Sequence, residues 1–268
     1  MQKYKLIACD LDGTLLNSKR ELSEENVSAV RSAVKRGAIF VIATGRPYEG
    51  VKTIARKLEN ENGSFILFNG ALVMTEGKTV FSSCIEKTAA EYIVSEGQKR
   101  NTTVVMWKKD GLYAEKECAK VDFYKSISGV EPKYVSDLKT VCDDDVIKIL
   151  WYNDAETTPL YLEEMKNSLK KRAAVYMSRA DFLEFVDAKC SKKTALRKIA
   201  EYYGVPVRKI IAIGDGDNDI PMLTEAGLSV AMGNADEAVK KICALITSDC
   251  DNDGVKEVIR KLISSGRL

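Results

Sequence analysis

Three short stretches of the chain are apolar without interruption: Leu6-Ile-Ala-Cys9, Ala38-Ile-Phe-Val-Ile-Ala43 and Ile210-Ile-Ala-Ile213. Continuous rather than alternating apolar character suits strands covered on both faces, as in a parallel sheet. Between the first two lies a helical pattern. Ser23 precedes it, Glu24 and Glu25 occupy its first turn, Val27, Val30 and Val34 recur at helical spacing, and Gly37 follows as a C-cap. A strand–helix–strand unit of this kind predicts a right-handed crossover. The C-terminal third repeats the alternation. Its pattern predicts a helix over 192–203 closed by Gly204, a strand over 210–213, a helix near 220–226 and a short strand at 229–231. A helix near Glu237, a strand at 244–246 and a last helix over 255–262 complete it.

The middle of the chain reads differently. Asp110-Gly111 between Val104–Trp107 and Leu112–Ala114 is a hairpin signal, a long helix is expected near 158–171, and 146–151 and 173–178 look like antiparallel strands. An α+β domain over 84–187, inserted into an α/β core made of 1–83 and 188–268, accounts for both patterns. A length of 268 residues agrees with about two domains at roughly 150 residues each.

Composition narrows the chemistry. Hydrophobic residues at 45% and charged residues at 30% are an ordinary globular mixture. Forty-one basic against 39 acidic side chains argue against a nucleic-acid-binding surface. No histidine is present, which excludes Ser-His-Asp and Cys-His pairs, histidine bases and histidine metal ligands. The seven cysteines contain no C-x-x-C pair, so reduced, buried thiols are expected rather than a disulfide framework or zinc cluster. Four apolar residues before Asp10 are too few for a signal-peptide core, and nothing approaches the ~20 of a membrane span. These features point to a cytoplasmic protein with no membrane partner.

Each apolar run ends in a polar cluster: Asp10-Leu11-Asp12-Gly13-Thr14, Thr44-Gly45-Arg46 and Gly214-Asp215-Gly216-Asp217-Asn218-Asp219. Ligands of open α/β sheets bind beyond the carboxyl ends of the strands, so the clusters meet if the three runs are neighbours. Converging aspartates would all tend to ionise at neutral pH, and charges ~4 Å apart repel by roughly 4 kcal/mol at an effective dielectric of 20. Mg²⁺, a hard cation that takes carboxylates, waters and a substrate phosphate oxygen, would offset this if held by Asp10 and Asp215. Asp10 could then act as a nucleophile, splitting phosphate ester hydrolysis into formation and breakdown of an acyl phosphate. Asp12 could protonate the leaving oxygen and later deprotonate water. Backbone N–H groups, the Thr44 hydroxyl and a lysine would stabilise the transferring phosphoryl group.

These motifs, in this order, resemble those of the haloacid dehalogenase (HAD) superfamily. Asp10-Leu-Asp-Gly-Thr-Leu-Leu16, Asn69-Gly70 and Ile220-Pro-Met-Leu223 are similar to its Cof-type, type IIB capped phosphatases. The resemblance implies a Rossmann-like parallel-sheet core, with the insert as a cap over the site that governs substrate choice. It implies a Mg²⁺-dependent phosphatase acting on a small phosphorylated metabolite, a sugar phosphate by preference, through an aspartyl phosphate. By the same resemblance Asp10 is nucleophile and metal ligand, and Asp12 is acid/base and gives its carbonyl to the metal. Asp215 is the second acidic ligand and Asp219 orients the metal's water shell. Leu11, Thr44, Gly45, Lys192 and Asn218 serve the phosphate. The chain departs from the pattern at Lys193, where the branch carries glycine, so Lys193 and Lys189 compete with Lys192 for the phosphate.

Blander roles stand beside these. Asp-Gly is common turn chemistry, Thr44 could cap a helix after Pro47, Arg46 reads as structural and Asp217 as solvated. Two segments imitate a calcium loop, but Asp215–Asp219 lacks the sixth-place glycine and Asp249–Asp253 has Arg260 where the glutamate belongs. A phosphomutase, which returns the phosphoryl group to a second position of the sugar, and a non-catalytic phosphometabolite sensor remain as alternatives.

Overall fold

In the computed structural model, which describes residues 3–268, the chain divides into two compact units. The first takes the chain up to Thr44, Val51–Phe81 and Ser191–Leu268; the second takes Gly45–Gly50 and Ser82–Cys190.

An eight-stranded sheet forms the centre of the first unit. Its order is Leu245–Ile246, Leu228–Ala231, Ile210–Gly214, Leu6–Asp10, Ile39–Ala43, Ser64–Leu67, Leu72–Thr75, Lys78–Ser82. The first six run parallel, and Leu72–Thr75 turns back antiparallel on Ser64–Leu67. Leu6, Ile7, Ala8 and Cys9 expose no surface, because helices cover both faces of the sheet. The three apolar runs are thus adjacent, with Cys9 level with Ile42 and Ile213. The helix Glu24–Lys35 begins at Ser23, whose side chain accepts from the Asn26 N–H, and Gly37 follows it at φ +88°. The last helix, Gly254–Ser264, buries Val255, Val258, Ile259 and Leu262 at a spacing of three and four.

The second unit is built on a six-stranded sheet in the order Ala173–Arg179, Phe182–Asp187, Val146–Tyr152, Thr103–Lys108, Gly111–Ala114, Lys133–Tyr134. All its pairs are antiparallel except the last, which is parallel. The helices Lys87–Lys99 and Thr158–Leu169 pack on a core that includes Ile149, Trp151, Leu183 and Phe185. The expected strands at 146–151 and 173–178 are both present, and a strand the sequence pattern does not predict, Phe182–Asp187, lies between them. The hairpin turn is Lys109-Asp110, one residue earlier than expected, because Gly111 at φ +139° already pairs with Lys108. Among the described residues no helix is long and apolar enough to cross a membrane.

Candidate active site

Because their strands are parallel and adjacent, Asp10 ends one, Thr44 follows the next and Asp215 follows the third, all at the carboxyl edge of the sheet. One oxygen each of Asp10, Asp215 and Asp219 lies within 4.8 Å of the others. Local backbone explains how such a cluster forms. Asp219 ends the short 3-10 turn Asp217–Asp219, and its Oδ2 accepts from the N–H groups of Asp215 and Gly216, both at 3.1 Å. Gly214 makes room: a Cβ there would stand 2.6 Å from the Asp219 Cγ. Asp215 is oriented from the first motif, since Thr14 Oγ1 donates to its Oδ1 at 2.6 Å and Gly13, at φ +80°, lies where a Cβ would meet Oδ2 at 2.5 Å.

Lys192 completes the cluster. It opens the helix Lys192–Tyr202, whose first turn is fixed by a reciprocal cap: Ser191 Oγ accepts from Thr194 N, and Thr194 Oγ1 accepts from Ser191 N. Gly70, at φ +103°, lets the Ser191 backbone approach, for a Cβ at 70 would be 2.3 Å from the Ser191 carbonyl oxygen. Lys192 is 1% exposed, and its ammonium donates to Asp10 Oδ1 at 2.5 Å and Asp219 Oδ1 at 2.6 Å. Lys193 instead pairs with Glu225 at 2.9 Å, and Lys189 is exposed. Of the three competing lysines, Lys192 is the one in the cluster.

The charge balance shows what the cluster lacks. Three carboxylates face one ammonium in a buried space, a net deficit of two positive charges. Burial pushes the Asp10 carboxyl well above the usual range; Asp219 and Asp215 add to the rise and Lys192 opposes it. Burial and the Asp219 charge lift Asp215 to about 6, against a lowering hydrogen bond from Thr14. Burial works to lower Lys192, but its two carboxylate partners carry it above the ordinary lysine value. The donor set, all carboxylate oxygen, and the deficit of two both fit a hard divalent cation. Asp219 already has both oxygens engaged, so Asp10 and Asp215 are the freer ligands.

The remaining candidates are placed as follows. Leu11 is fully buried and its carbonyl accepts from Leu16 N at 2.9 Å. Asp12, one residue on, is exposed. Thr44 is buried, its N–H donates to Ile66 and its carbonyl accepts from Asn69 N at 3.0 Å. It caps no helix, since the next one, Lys52–Lys57, starts eight residues later behind Val51. Gly45 packs with the second unit, where its carbonyl accepts from Lys148. Asn218 donates to Asn69 Oδ1 at 3.1 Å, Arg46 donates to the Gly50 carbonyl and Asp217 is exposed. The sequence reading missed Thr14 as the group that aims Asp215, Asn69 as the partner of both Thr44 and Asn218, and Asn234, whose Nδ2 holds the Gly13 carbonyl at 2.8 Å. Thr14 and Asn69 stood inside motifs already singled out; Asn234 carries no sequence signal.

A lysine and three aspartates thus gather at the carboxyl edge of a parallel α/β sheet, in a chain without histidine. Comparison with known proteins gives the family. Residues 7–259 match the haloacid dehalogenase-like hydrolases, and the chain belongs to that family. It is 30% identical, over 98% of each chain, to the 5-amino-6-(5-phospho-D-ribitylamino)uracil phosphatase YitU of Bacillus subtilis. A haloacid dehalogenase-like hydrolase from Bacteroides thetaiotaomicron superposes with a TM-score of 0.86 at 30% identity, over 97% of this chain and all of that one. The HAD subclass IIB sugar phosphatase BT4131 shares the fold, with a TM-score of 0.86 at 20% identity over 98% of this chain and all of that one. The chain is a phosphatase of the HAD type.

Proposed function

We propose that the chain hydrolyses phosphate monoesters of small sugar or polyol metabolites with Asp10 as nucleophile. The observation that carries the reading is the buried Asp10 carboxylate, held at 2.5 Å by Lys192 beside two further aspartates. In the first step an Asp10 oxygen attacks phosphorus, the P–O bond to the alcohol breaks, and Asp12 gives its proton to the departing oxygen. In the second, Asp12 takes a proton from water, whose oxygen displaces Asp10 from phosphorus; inorganic phosphate leaves and both carboxyl groups return to their starting states. An exposed Asp12 suits a group that must meet the leaving alcohol and then water.

Lys192 has three N–H donors and two are committed to carboxylates, which leaves one for a phosphate oxygen. Thr44, the N–H groups of Leu11 and Gly45, and Asn218 supply the other donors. Mg²⁺ would be held by Asp10, Asp215 and the Asp12 carbonyl, with Asp219 behind them, and when bound it supplies charge neutralisation for the phosphoryl group. The substrate class is supported by YitU, whose substrate carries phosphate on a ribityl chain. By the family resemblance, the choice of leaving group is assigned to the inserted unit, read from the sequence as 84–187 and found as Ser82–Cys190 with Gly45–Gly50. Unpaired cysteines throughout the described residues support a cytoplasmic site of action.

The test is hydrolysis of p-nitrophenyl phosphate and a panel of sugar phosphates, with Mg²⁺ and with EDTA, by the parent and Asp10→Asn. Phosphate release by the parent that vanishes in Asp10→Asn is expected. Undiminished hydrolysis in the variant removes Asp10 from its role, and isomerised sugar phosphate with little free phosphate would make the enzyme a mutase.

A further inference from the structure

Asn234 stands outside every acidic motif, yet its side chain joins two other loops of the first unit. Its Nδ2 donates to the Gly13 carbonyl at 2.8 Å, and its Oδ1 accepts from the Cys250 N–H at 2.9 Å. A carbonyl only accepts and a backbone N–H only donates, so the amide can face these two partners one way round. The loop that carries it is anchored as well. Met232 N donates to the Gly214 carbonyl at 3.0 Å, and Gly233 N donates to the Ser248 carbonyl at 3.2 Å. Asn234 itself is exposed, so core packing is no account of its place.

The Gly13 contact works through peptide geometry. The Gly13 carbonyl lies in one plane with the Thr14 N–H and the Thr14 Cα. Glycine has the least restricted backbone, so at Gly13, with φ +80°, nothing in the residue itself stops that plane from turning. The bond from Asn234 stops it, and with the plane it sets the Cα from which the Thr14 side chain springs. Thr14 is fully buried, and its Oγ1 donates to Asp215 Oδ1 at 2.6 Å. The same loop also holds the peptide before Asp215. The Gly214 carbonyl that accepts from Met232 shares its plane with the Asp215 N–H, which donates to Asp219 Oδ2 at 3.1 Å. Residues 232–234 thus hold Asp215 twice, once at its backbone and once, through Gly13 and Thr14, at its carboxylate.

We infer that Asn234 is a positioning residue for the reaction: through Gly13 and Thr14 it sets the orientation in which the Asp215 carboxylate meets a divalent cation. The inference rests on the reading of Asp215 as a metal ligand. Asn234 touches neither reacting atoms nor carboxylate; it removes freedom from the ligand before the cation arrives, as groups behind a metal ligand do.

The test titrates Mg²⁺ alone into the full-length parent, Asn234→Ala and Thr14→Val, reads binding from the rise in melting temperature, and then follows p-nitrophenyl phosphate hydrolysis. Asn234→Ala is expected to raise the Mg²⁺ dissociation constant about fivefold or more and to shift half-saturation of hydrolysis by the same factor. Excess Mg²⁺ is expected to recover most of the hydrolysis lost at limiting Mg²⁺. Thr14→Val should weaken Mg²⁺ binding at least as much, and adding Asn234→Ala to it should then change little, since both act on one contact. A folded Asn234→Ala with the parent's Mg²⁺ affinity overturns the inference, as do two effects that simply add. Should Asn234→Ala not fold, Asn234→Ser, whose hydroxyl is too short to span both partners, takes its place with the same two outcomes. Asp215→Asn is the control: if it leaves Mg²⁺ binding unchanged, the reading of Asp215 is at fault rather than the role of Asn234.

Discussion

Replacing Lys192 by methionine keeps the aliphatic volume of a fully buried side chain and removes only its charge. The consequence can be worked out from the cluster. Asp10 and Asp219 lose the cation that lies at 2.5 and 2.6 Å from them, and their nearest oxygens stay within 4.8 Å. At an effective dielectric of 20 that repulsion is about 3–4 kcal/mol, and breaking a buried pair by removing one partner costs about 3–5 kcal/mol. A proton on one carboxylate relieves most of it, so the folded variant binds about one more proton than the parent. Its carboxyl is raised further above the unfolded value. The compensation is therefore complete below the unfolded pKa of about 4 and is lost as pH rises through the folded one. In urea unfolding with EDTA present, Lys192→Met should be about 3–5 kcal/mol less stable than the parent at pH 8, and the gap should close by roughly 1.4 kcal/mol per pH unit toward pH 5. A loss below about 1 kcal/mol at pH 8, or a gap that widens on acidification, would refute the ammonium as the charge that holds the cluster together.

Asp215 gives a second pH signature. Its carboxyl, raised to about 6, favours the metal-free fold below pH 4 and costs it about 3 kcal/mol once pH has passed the raised value. Stabilisation by Mg²⁺ in thermal melts should therefore grow between pH 5 and pH 8, and a benefit that does not change with pH would count against Asp215 as a ligand. Gly13→Ala would set a Cβ 2.5 Å from Asp215 Oδ2 at a backbone φ of +80°, so activity should fall and half-saturation by Mg²⁺ should rise, with a stability loss of about 1–2 kcal/mol. Unchanged Mg²⁺ dependence in that variant would mean the Asp215 carboxylate does not depend on the space Gly13 leaves.

How much of this architecture is visible in the sequence depends on which residues face both ways. The strands at 6–10, 39–43 and 210–214 are covered on both faces, so they read as unbroken apolar runs and their polar ends mark the site. The helix at 24–35 announces itself through Ser23 and Gly37. The strands of 64–82 do not. Ser64 and Thr75 are buried polar residues that satisfy each other and the Tyr203 hydroxyl, a bond between segments 128 residues apart that no local pattern encodes. The same holds for Thr14 with Asp215, 201 residues away, and Asn234 with Gly13, 221 residues away. Partners at such separations come from the fold, not from the neighbourhood of either residue.

The two buried lysines show the limit most clearly. Lys192 is legible only through the family resemblance, which places a lysine ahead of the last acidic motif. Lys148 stands in Val146-Ile-Lys-Ile-Leu-Trp-Tyr152 and Glu184 in Phe182-Leu-Glu-Phe-Val-Asp187, each a lone charge inside an apolar strand. Alternation alone would send both side chains to solvent. The register shows otherwise: Glu184 lies opposite Leu150, which places Lys148 diagonally across from it on the same face. A lone charge in a strand is ambiguous, but two of opposite sign in two strands of one sheet are each other's natural partners. The pairing follows only where both strands are in view, and the pattern of Phe182–Asp187 does not mark it as a strand. What no reading of the sequence could supply is the third member, the Gly45 carbonyl. It lies 103 residues from Lys148 and is a backbone atom, so it leaves no trace in side-chain pattern at all.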